Sequence, residues 1–323
     1  MKDKDTEARE ATAANWIVTR RDFLKASGFV ISGLSLGAPS IFAVNRGSNT
    51  KVSFGIVTDA HYADSAPRGT RFYKESVAKM TECVDFMNVK KVDFLIELGD
   101  FKDQGDPANE KETLTYLEAI EQIFQQFRGP RYHVLGNHDV DSISKEQCLT
   151  RVENTGILSE SNYYSFDLKE LHFVVLDANY MADGSDYDHG NFDWTDTNIS
   201  QKELDWFKND LAASSKPVIV FVHQQLDGTG NHSVKNATEV RQIMQDSEKV
   251  IAVFQGHNHA GNYSYIEGIH YYTLKAMVEG SGEINNSYAI VEVQDNENIV
   301  VTGYRRAMSR EFDNAKQSNK PDL

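Results

Sequence analysis

Arg131-Tyr132-His133-Val134-Leu135-Gly136-Asn137-His138-Asp139 joins a short apolar run to a glycine and three polar side chains. The run from Arg131 to Leu135 is typical of a buried strand, and the glycine that follows allows a close turn of the chain. Three polar side chains therefore stand at the end of a predicted strand. This arrangement favours an α/β fold in which strand ends carry the functional groups.

Four other segments repeat this arrangement. They are Asp59-Ala60-His61 after the run 52–57, Gly99-Asp100 after 92–98, His223 after 218–222, and Gly256-His257-Asn258-His259 after 250–254. Each segment alone occurs by chance as a turn, a polar pair in a loop or a surface loop. Because all five follow apolar runs in order, the sequence predicts that their side chains form one site.

The chain between these segments alternates apolar runs with amphipathic stretches, which is an α/β pattern. Helices are predicted at 73–88, 110–127, 200–212 and 237–246, and further strands at 163–168 and 171–176. The part from 263 to 304 changes to strands alone, with clear ones at 287–293 and 299–304. Two packed sheets flanked by helices would fit this order of elements.

The amino-terminal segment resembles a twin-arginine export signal. Thr19-Arg20-Arg21-Asp22-Phe23-Leu24-Lys25 precedes a mildly apolar, glycine-containing run, and Ala43 offers a cleavage point. We therefore divide the chain into a signal peptide (1–43), a linker (44–50), a catalytic domain (51–310) and a polar tail (311–323). The resemblance implies the twin-arginine machinery as a partner and a periplasmic or extracellular location. An uncleaved amino-terminal anchor is the alternative, whereas cleavage leaves no stable membrane insertion.

The net charge bears on which ligands the protein can bind, and the two cysteines leave one question open. The formal net charge of −15 argues against nucleic-acid binding, which needs clustered lysine and arginine. An acidic protein can still bind a phosphate, because bound divalent ions reverse the local field. Cys83 and Cys148 lie outside every motif, and the sequence leaves open whether they pair.

The polar segments contain the side chains that bind divalent ions. Asp59 and His61 can converge on one ion if the chain bends after its strand, and the two oxygens of Asp100 suit a bridge between two ions. Asn137 offers a neutral amide oxygen. His257 and His259 are separated by one residue, and we expect one of them to serve each ion.

These motifs together resemble the calcineurin-like metallophosphoesterase family, over about residues 51–306. The resemblance implies a four-layer α/β/β/α sandwich of two mixed sheets, and two divalent ions that are manganese, iron or zinc. It also implies the ligand sets Asp59, His61, Asp100 and His259 for one ion, and Asp100, Asn137, His223 and His257 for the other. His138 would act as the acid at the departing oxygen or as a residue that clamps the phosphate, and Asp139 would orient it.

A narrower resemblance concerns the segments 256–263, 268–273 and 277–279, which are similar to the manganese-dependent ADP-ribose/CDP-alcohol diphosphatase group. Gln224-Gln225 departs from many family members, which leaves the substrate contacts there open. Three functions follow as alternatives. The first is an exported phosphatase or phosphodiesterase that cleaves P–O bonds of a small phosphorylated substrate with a metal-bridging hydroxide. The second is a diphosphatase of nucleotide-type substrates, and the third a non-enzymatic binding scaffold on the same fold.

One irregular insertion, residues 182–198, contains several aromatic side chains. Long loops of this kind are often functional, and Phe192 and Trp194 are candidates to stack on a base. His189 and His232 are candidates to border the same cleft. The alternative is an Ω-loop whose aromatic side chains pack beneath it.

Overall fold

The structure is a computed structural model that describes residues 50–314. The predicted signal peptide and linker, apart from Thr50, and residues 315–323 lie outside this range. Within it, no helix is both long enough and apolar enough to cross a membrane.

Twelve strands and five α-helices make up the described chain. The strands are β1 (Thr50–Val57), β2 (Phe94–Glu97), β3 (Arg131–His133), β4 (Tyr164–Leu168), β5 (Leu171–Val175), β6 (Val218–Phe221), β7 (Val250–Gln255), β8 (Asn262–Ile266), β9 (Ile269–Thr273), β10 (Ser287–Gln294), β11 (Ile299–Arg305) and β12 (Arg310–Phe312). The helices are α1 (Ser76–Lys90), α2 (Glu110–Phe124), α3 (Lys145–Leu149), α4 (Gln201–Ala213) and α5 (Ala237–Ser247).

The strands form two six-stranded mixed sheets. The first has the order β12-β11-β10-β1-β2-β3, and the second has the order β4-β5-β6-β7-β9-β8. In the first sheet β1, β2 and β3 run parallel, and in the second β5, β6, β7 and β9 run parallel. Parallel neighbours end at the same edge of a sheet, so the polar residues behind these strands gather at one edge.

Aromatic rings fill the space between the two sheets. Phe54 of β1 stacks on Phe94 of β2 with ring centroids 4.8 Å apart, and meets Phe173, Phe221 and Phe254 of the second sheet edge-on at 5.7–5.8 Å. All five side chains are fully buried. Edge-on contacts of this kind add to the stabilisation that burial alone provides, so this cluster joins the two inner layers.

Helices cover the outer faces of both sheets. α1 and α2 bury Met80, Met87 and Leu117 against the first sheet, and α4 and α5 bury Phe207 and Met244 against the second. Asn109 caps the amino-terminal end of α2, where its side chain accepts a hydrogen bond from the amide of Glu112. The predicted four-layer α/β/β/α sandwich of two mixed sheets is therefore confirmed.

The carboxyl-terminal boundary of the domain was wrong in the sequence analysis. Residues 310–312, of which 311 and 312 had been placed in a polar tail, form the edge strand β12 on β11. Phe312 is buried and stacks on His270 with ring centroids 4.7 Å apart. The apolar contact of Phe312 is with a strand that is distant in sequence. The polar composition of the predicted tail therefore did not indicate a strand there. Cys83 and Cys148 are both buried free thiols, which answers the question of their pairing.

His172 of β5 links three elements on the outer side of the second sheet. Its Nδ1 lies 2.7 Å from Asp167 of β4, and its Nε2 lies 2.7 Å from Asp210 of α4. Burial opposes the charged imidazole, but the two carboxylates outweigh burial and raise the pKa of His172. The folded state therefore favours the imidazolium.

We predict that His172→Gln destabilises the protein most at low pH. A raised folded-state pKa stabilises the fold fully below the unfolded pKa of about 6.5, and this contribution is lost as the pH rises through the folded value. Near pH 6 the variant should lose about 1.5–3 kcal/mol in free energy of unfolding, the range for hydrogen bonds to charged groups. Denaturant titrations from about pH 6 to about pH 9 should show the loss shrinking. His189→Gln, in an exposed loop, is the control, and a pH-independent loss in His172→Gln would contradict the prediction.

Candidate active site and metal centre

The five predicted segments meet at the edge where the parallel strands of both sheets end. Asp59, Asp100 and Asn137 follow β1, β2 and β3, while His223 and His257 follow β6 and β7. All five residues are buried. Their approach depends on glycine: a Cβ on Gly136 would lie 3.0 Å from the carboxylate carbon of Asp100 and still closer to its backbone amide.

Three groups of side chains in the described residues are close enough to hold an ion. One of them joins His61 to Asp103 and His138, and the other two contain only predicted ligands. The ligand atoms of Asp59, His61 and His259 lie within 4.8 Å of one another, and so do those of Asp100, His223 and His257. The ligand sets implied by the family resemblance divide these residues in the same way. The Oδ2 atom of Asp100 lies 3.1 Å from His223 Nε2 and 3.5 Å from His61 Nε2, so it reaches both groups as a bridging carboxylate must.

Several of these atoms make no hydrogen bond within the described part of the chain. The buried atoms Asp59 Oδ1, Asn137 Oδ1, His223 Nε2 and His257 Nε2 make no hydrogen bond. Buried polar atoms in folded proteins almost always have partners, and oxygen and imidazole nitrogen atoms are suitable ligands for first-row divalent ions. The site therefore fits the ions that the sequence predicted.

Contacts at the Nδ1 atoms orient the rings of two ligand histidines. The Nδ1 atom of His223 donates to the carbonyl of Leu98 at 2.8 Å, and Nδ1 of His259 lies 2.7 Å from the carboxylate of Glu279. In each ring this leaves Nε2 for the ion, the usual arrangement behind a metal-binding histidine. The sequence analysis assigned no role to Glu279, because a carboxylate twenty residues from its histidine has no local signature.

The backbone at the strand ends is strained. Asp59, His61, Asp100 and His257 have φ angles of 52°, 46°, 56° and 64°, in the left-handed region. Such positions cost about 1–3 kcal/mol each and persist where the surrounding structure imposes them. The left-handed turns provide the bend that the sequence analysis required after β1, and they bring Asp59 Oδ1 to 3.7 Å from His61 Nε2.

Burial and charge oppose each other in the ligand residues. Burial favours neutral carboxyl groups, but the surrounding histidines outweigh it and hold the pKa of Asp59 and Asp100 well below the usual range. Burial likewise disfavours a charged His223, yet Asp100 raises the pKa of His223 to about 10. Burial, and then His223, hold the pKa of His257 well below its ordinary value. A divalent ion would replace the proton on His223 and meet a neutral His257.

Asp139 does not contact the His138 imidazole, and the predicted orienting role is wrong. Its two carboxylate oxygens accept hydrogen bonds from the amides of Gly136, Asp100 and Phe101 at 2.8–2.9 Å. These bonds tie the loop after β3 to the loop after β2. The histidine faces a different carboxylate, that of Asp141, which the sequence analysis had not singled out.

A cavity of about 220 Å³ opens above the ligand residues. Its walls are Arg71, Asp100, Asn137, His138, Trp194, His232, His257 and His259. Arg71 brings a permanent positive charge to a site that otherwise contains carboxylates and histidines. It lies in a loop ten residues after His61, and neither spacing nor periodicity distinguished it in the sequence.

A larger cavity of about 510 Å³ adjoins the first one and shares Asn137, His138 and Trp194 with it. His189 and Phe192 also line the larger cavity, so both lie near the site as predicted. No contact shows a role for His189, whose Nδ1 lies 2.6 Å from the neighbouring Asp188.

The insertion 182–198 combines the two alternatives considered for it. Phe192 stacks on the buried Tyr187 with ring centroids 3.8 Å apart, so one of its faces is occupied by the loop itself. Trp194 is 42% exposed and stands with its ring centroid 5.5 Å from those of His257 and His232. The loop is therefore packed at Phe192 and offers a free aromatic surface at Trp194.

Two adjacent ligand groups with a shared carboxylate define a dinuclear metallohydrolase. The chain belongs to the calcineurin-like phosphoesterase family, whose profile matches residues 52–261. It is a metal-dependent phosphoric ester hydrolase that uses two divalent metal ions.

Individual relatives agree with this family. The chain is 26% identical over 307 residues to the manganese-dependent ADP-ribose/CDP-alcohol diphosphatase of Arabidopsis thaliana, covering 81% of this chain and 97% of that protein. It is 23% identical to the human protein of the same name, over 75% of this chain and 87% of the relative. A dimetal phosphatase from Danio rerio has the same fold, with a TM-score of 0.70, 18% identity, and coverage of 81% of this chain and 99% of that one.

We predict that Gly136→Ala weakens metal binding. The added methyl group would push against the backbone amide and carboxylate of Asp100, the residue that reaches both ligand groups. We expect at least about tenfold weaker binding, corresponding to about 1.4 kcal/mol, measured as bound manganese per chain during dialysis. Gly230→Ala is the matched control, because no heavy atom lies within 4 Å of its added methyl group. Unchanged manganese affinity in Gly136→Ala would refute this account of the close approach.

Proposed function

We propose that this enzyme hydrolyses the diphosphate bond of nucleotide-type substrates, of the ADP-ribose or CDP-alcohol kind. The observation that carries the proposal is the pair of joined cavities over the metal centre. The smaller one suits a phosphate group, whereas the larger one, at about 510 Å³, has the size of a small-molecule site. The names of the diphosphatase relatives support the same substrate class.

Arg71 supports a second phosphate beside the one at the metal centre. Its guanidinium group carries a charge at any ordinary pH and can bind phosphate oxygens in a bidentate manner. The exposed face of Trp194, between the two cavities, is placed to stack on a base or another planar group.

We assign the ligands as the motifs suggested. Asp59, His61, Asp100 and His259 would hold one ion, and Asp100, Asn137, His223 and His257 the other. When bound, the ions polarise the phosphoryl group and lower the pKa of the attacking water.

His138 would protonate the departing oxygen. A new P–O bond forms to the water oxygen while the bond to the leaving phosphate breaks, and the proton on His138 passes to the oxygen that departs. Burial opposes a charged His138, but Asp100, and then Asp141 and Asp103, raise its pKa to about 9.

A hydrolysis screen of the purified protein tests the substrate class. ADP-ribose, CDP-alcohols, phosphomonoesters, phosphodiesters and cyclic nucleotides would each be offered with manganese, iron or zinc. We expect the diphosphates to have the highest kcat/KM, and a chelator to abolish the activity. Trp194→Ala should raise KM for nucleotide diphosphates about tenfold, since stacking contributes about 1–3 kcal/mol per base. It should leave a small aryl phosphodiester unaffected, and faster cleavage of monoesters than of diphosphates would refute the proposal.

We further propose that the protein is exported by the twin-arginine route, on the strength of Arg20-Arg21 and the Phe23-Leu24-Lys25 step that follows. Because this route carries folded proteins, the metal ions could be loaded in the cytoplasm. We predict that the full chain reaches the periplasm as a shortened form beginning at Val44. Arg20→Lys/Arg21→Lys should retain the full-length chain inside the cell, as measured by fractionation and amino-terminal sequencing. Export of that double variant at the normal level would rule the route out.

A further inference from the structure

The insertion 182–198 closes on itself at its base. The amide of Asn198 donates to the carbonyl of Tyr180 at 3.0 Å. The amide of Tyr187 donates to the carbonyl of Asn179, also at 3.0 Å, and Asn179 and Asn198 lie side by side as a β-bridge. The two ends of the insertion therefore meet just after β5, and we call the segment 182–198 the arm.

Lys145 ties the arm to the strand end from which it begins. Its Nζ atom lies 2.6 Å from Asp186 Oδ1 in the arm and 2.7 Å from Asp177 Oδ2, just after β5. The ammonium group also stands 3.7 Å from the centre of the Tyr180 ring. Asp177 is fully buried, and separating a buried carboxylate from its cation is costly. The pair with Asp177 therefore fixes Lys145, and Lys145 in turn fixes Asp186.

A chain of buried amides supports the same base. Asn179 Nδ2 donates to Asp177 Oδ1 and to the carbonyl of Leu135, both at 2.8 Å. Gln224 Nε2 donates to Asn179 Oδ1 at 2.7 Å. Gln224 follows the predicted ligand His223 and belongs to the glutamine pair that departs from many family members. Because Gln224 is fully buried, its side chain supports the arm and does not contact substrate.

The tip of the arm rests against the loop that follows β3. The amide of Gly190 donates to the carbonyl of Val140 at 3.1 Å. Gly190 has a φ angle of 70°, in the left-handed region, and a Cβ on it would lie 2.5 Å from the carbonyl oxygen of Asp141. Glycine permits this close approach because it has no side chain. The arm is therefore fixed at its tip as well as at its base.

Trp194 lies in the part of the arm that returns from the tip to the base. Asp193 Oδ1 accepts from the amide of Thr195 at 2.9 Å and from its hydroxyl at 2.8 Å, which forms a tight turn around Trp194. The indole ring lies 5.5 Å from the ring centre of His257 and is 42% exposed. A side chain that is held in place before binding loses little conformational freedom when a ligand stacks on it.

We propose that the arm is a fixed specificity element: by holding Trp194 in place, it selects diphosphates that carry a planar group close to the scissile bond. Asp186 and Gly190 are its positioning residues, because they fix the arm at its base and at its tip. This inference rests on the proposed stacking role of Trp194. It implies that selectivity depends on Asp186, a residue that lines neither of the two cavities over the metal centre.

The first test compares two alanine substitutions within the arm. Gly190→Ala would push the tip away from the Asp141 carbonyl, whereas Gly184→Ala adds its methyl group at a φ of 83° with no heavy atom within 4 Å. The manganese-loaded full chain would be assayed with ADP-ribose and with a dialkyl diphosphate, which has the same scissile bond but no planar group. Gly190→Ala should lower the ratio of the two kcat/KM values about tenfold, chiefly through KM for ADP-ribose, as expected for one stacked base. Gly184→Ala should retain the wild-type ratio.

Two further variants examine the base of the arm and the route of the effect. Asp186→Ala releases the arm from Lys145 but leaves the buried pair with Asp177 intact, and it should lower the same ratio. Because the arm acts through the indole, Gly190→Ala/Trp194→Ala should give the same ratio as Trp194→Ala, and additive losses would contradict this route. Bound manganese should equal the wild-type value in every variant. Its loss together with the activity would make the arm a support of the metal centre and overturn the proposal.

A second test requires no turnover. The chain contains Trp16, Trp194 and Trp206. In ¹⁹F NMR of the zinc-loaded, 5-fluorotryptophan-labelled chain, Trp194→Phe identifies the Trp194 signal. We expect one narrow Trp194 signal in the wild type and in Gly184→Ala, and a shifted or broadened one in Gly190→Ala and in Asp186→Ala. The Trp206 signal should stay the same throughout.

The outcomes separate this inference from the proposed function. A lower ratio in Trp194→Ala but not in Gly190→Ala or Asp186→Ala would overturn the role of the arm and leave the stacking role intact. The same Trp194 signal in wild type, Gly190→Ala and Asp186→Ala would also overturn it. If Trp194→Ala itself leaves the ratio unchanged, the stacking role fails, and selection by the arm fails with it.

Discussion

The carboxylate of Asp139 is the constraint on which the metal centre depends. It accepts hydrogen bonds from the amides of Gly136, Asp100 and Phe101, while the amide of His138 donates to Asp100 Oδ1. Two loops on neighbouring strands are thereby joined in both directions. Hydrogen bonds to a charged group contribute about 1.5–3 kcal/mol each, which is enough to hold Asp100 in a left-handed conformation. Asp139, which the resemblance had linked to His138, therefore fixes Asp100, the ligand shared by the two metal groups.

A second buried layer supports the loop after β2. Glu97, at the end of that strand, accepts from the amide of Gly99 at 2.8 Å and lies beside His133, whose Nε2 is 3.2 Å from Glu121. Burial is the largest influence that raises the pKa of Glu97, to about 8, so this carboxyl group readily holds a proton. His133 thus has a structural role. It contributes to the site only through the backbone that precedes Asp100.

The local charge explains how an acidic protein can bind an anion. The chain carries a formal net charge of −15, and the residues around the centre include many carboxylates. Most of these are already engaged: Asp103 with His61, Asp141 with Lys102, and Glu279 with His259. Under the proposed function, the charge that meets a phosphate comes from the two metal ions and from Arg71. Because these are concentrated at one edge, the acidic surface elsewhere does not prevent substrate binding.

The sequence by itself determined the α/β layering, and its resemblance to a known family separated Asp59, His61 and His259 from Asp100, His223 and His257, as the structure does. Apolar periodicity is a local property of the sequence. Asp59, Asp100 and His223 each lie a fixed number of residues after a strand, and tertiary packing does not alter that number. Only the tertiary structure decided which side chains meet across loops: Asp141 rather than Asp139 beside His138, Arg71 in the cavity, Trp194 rather than Phe192 with a free face. These contacts depend on how separate elements pack. The same reason applies to the strand that contains Phe312. Its neighbours in sequence are polar and do not indicate a strand, because the aromatic core beneath Phe312 is what stabilises it.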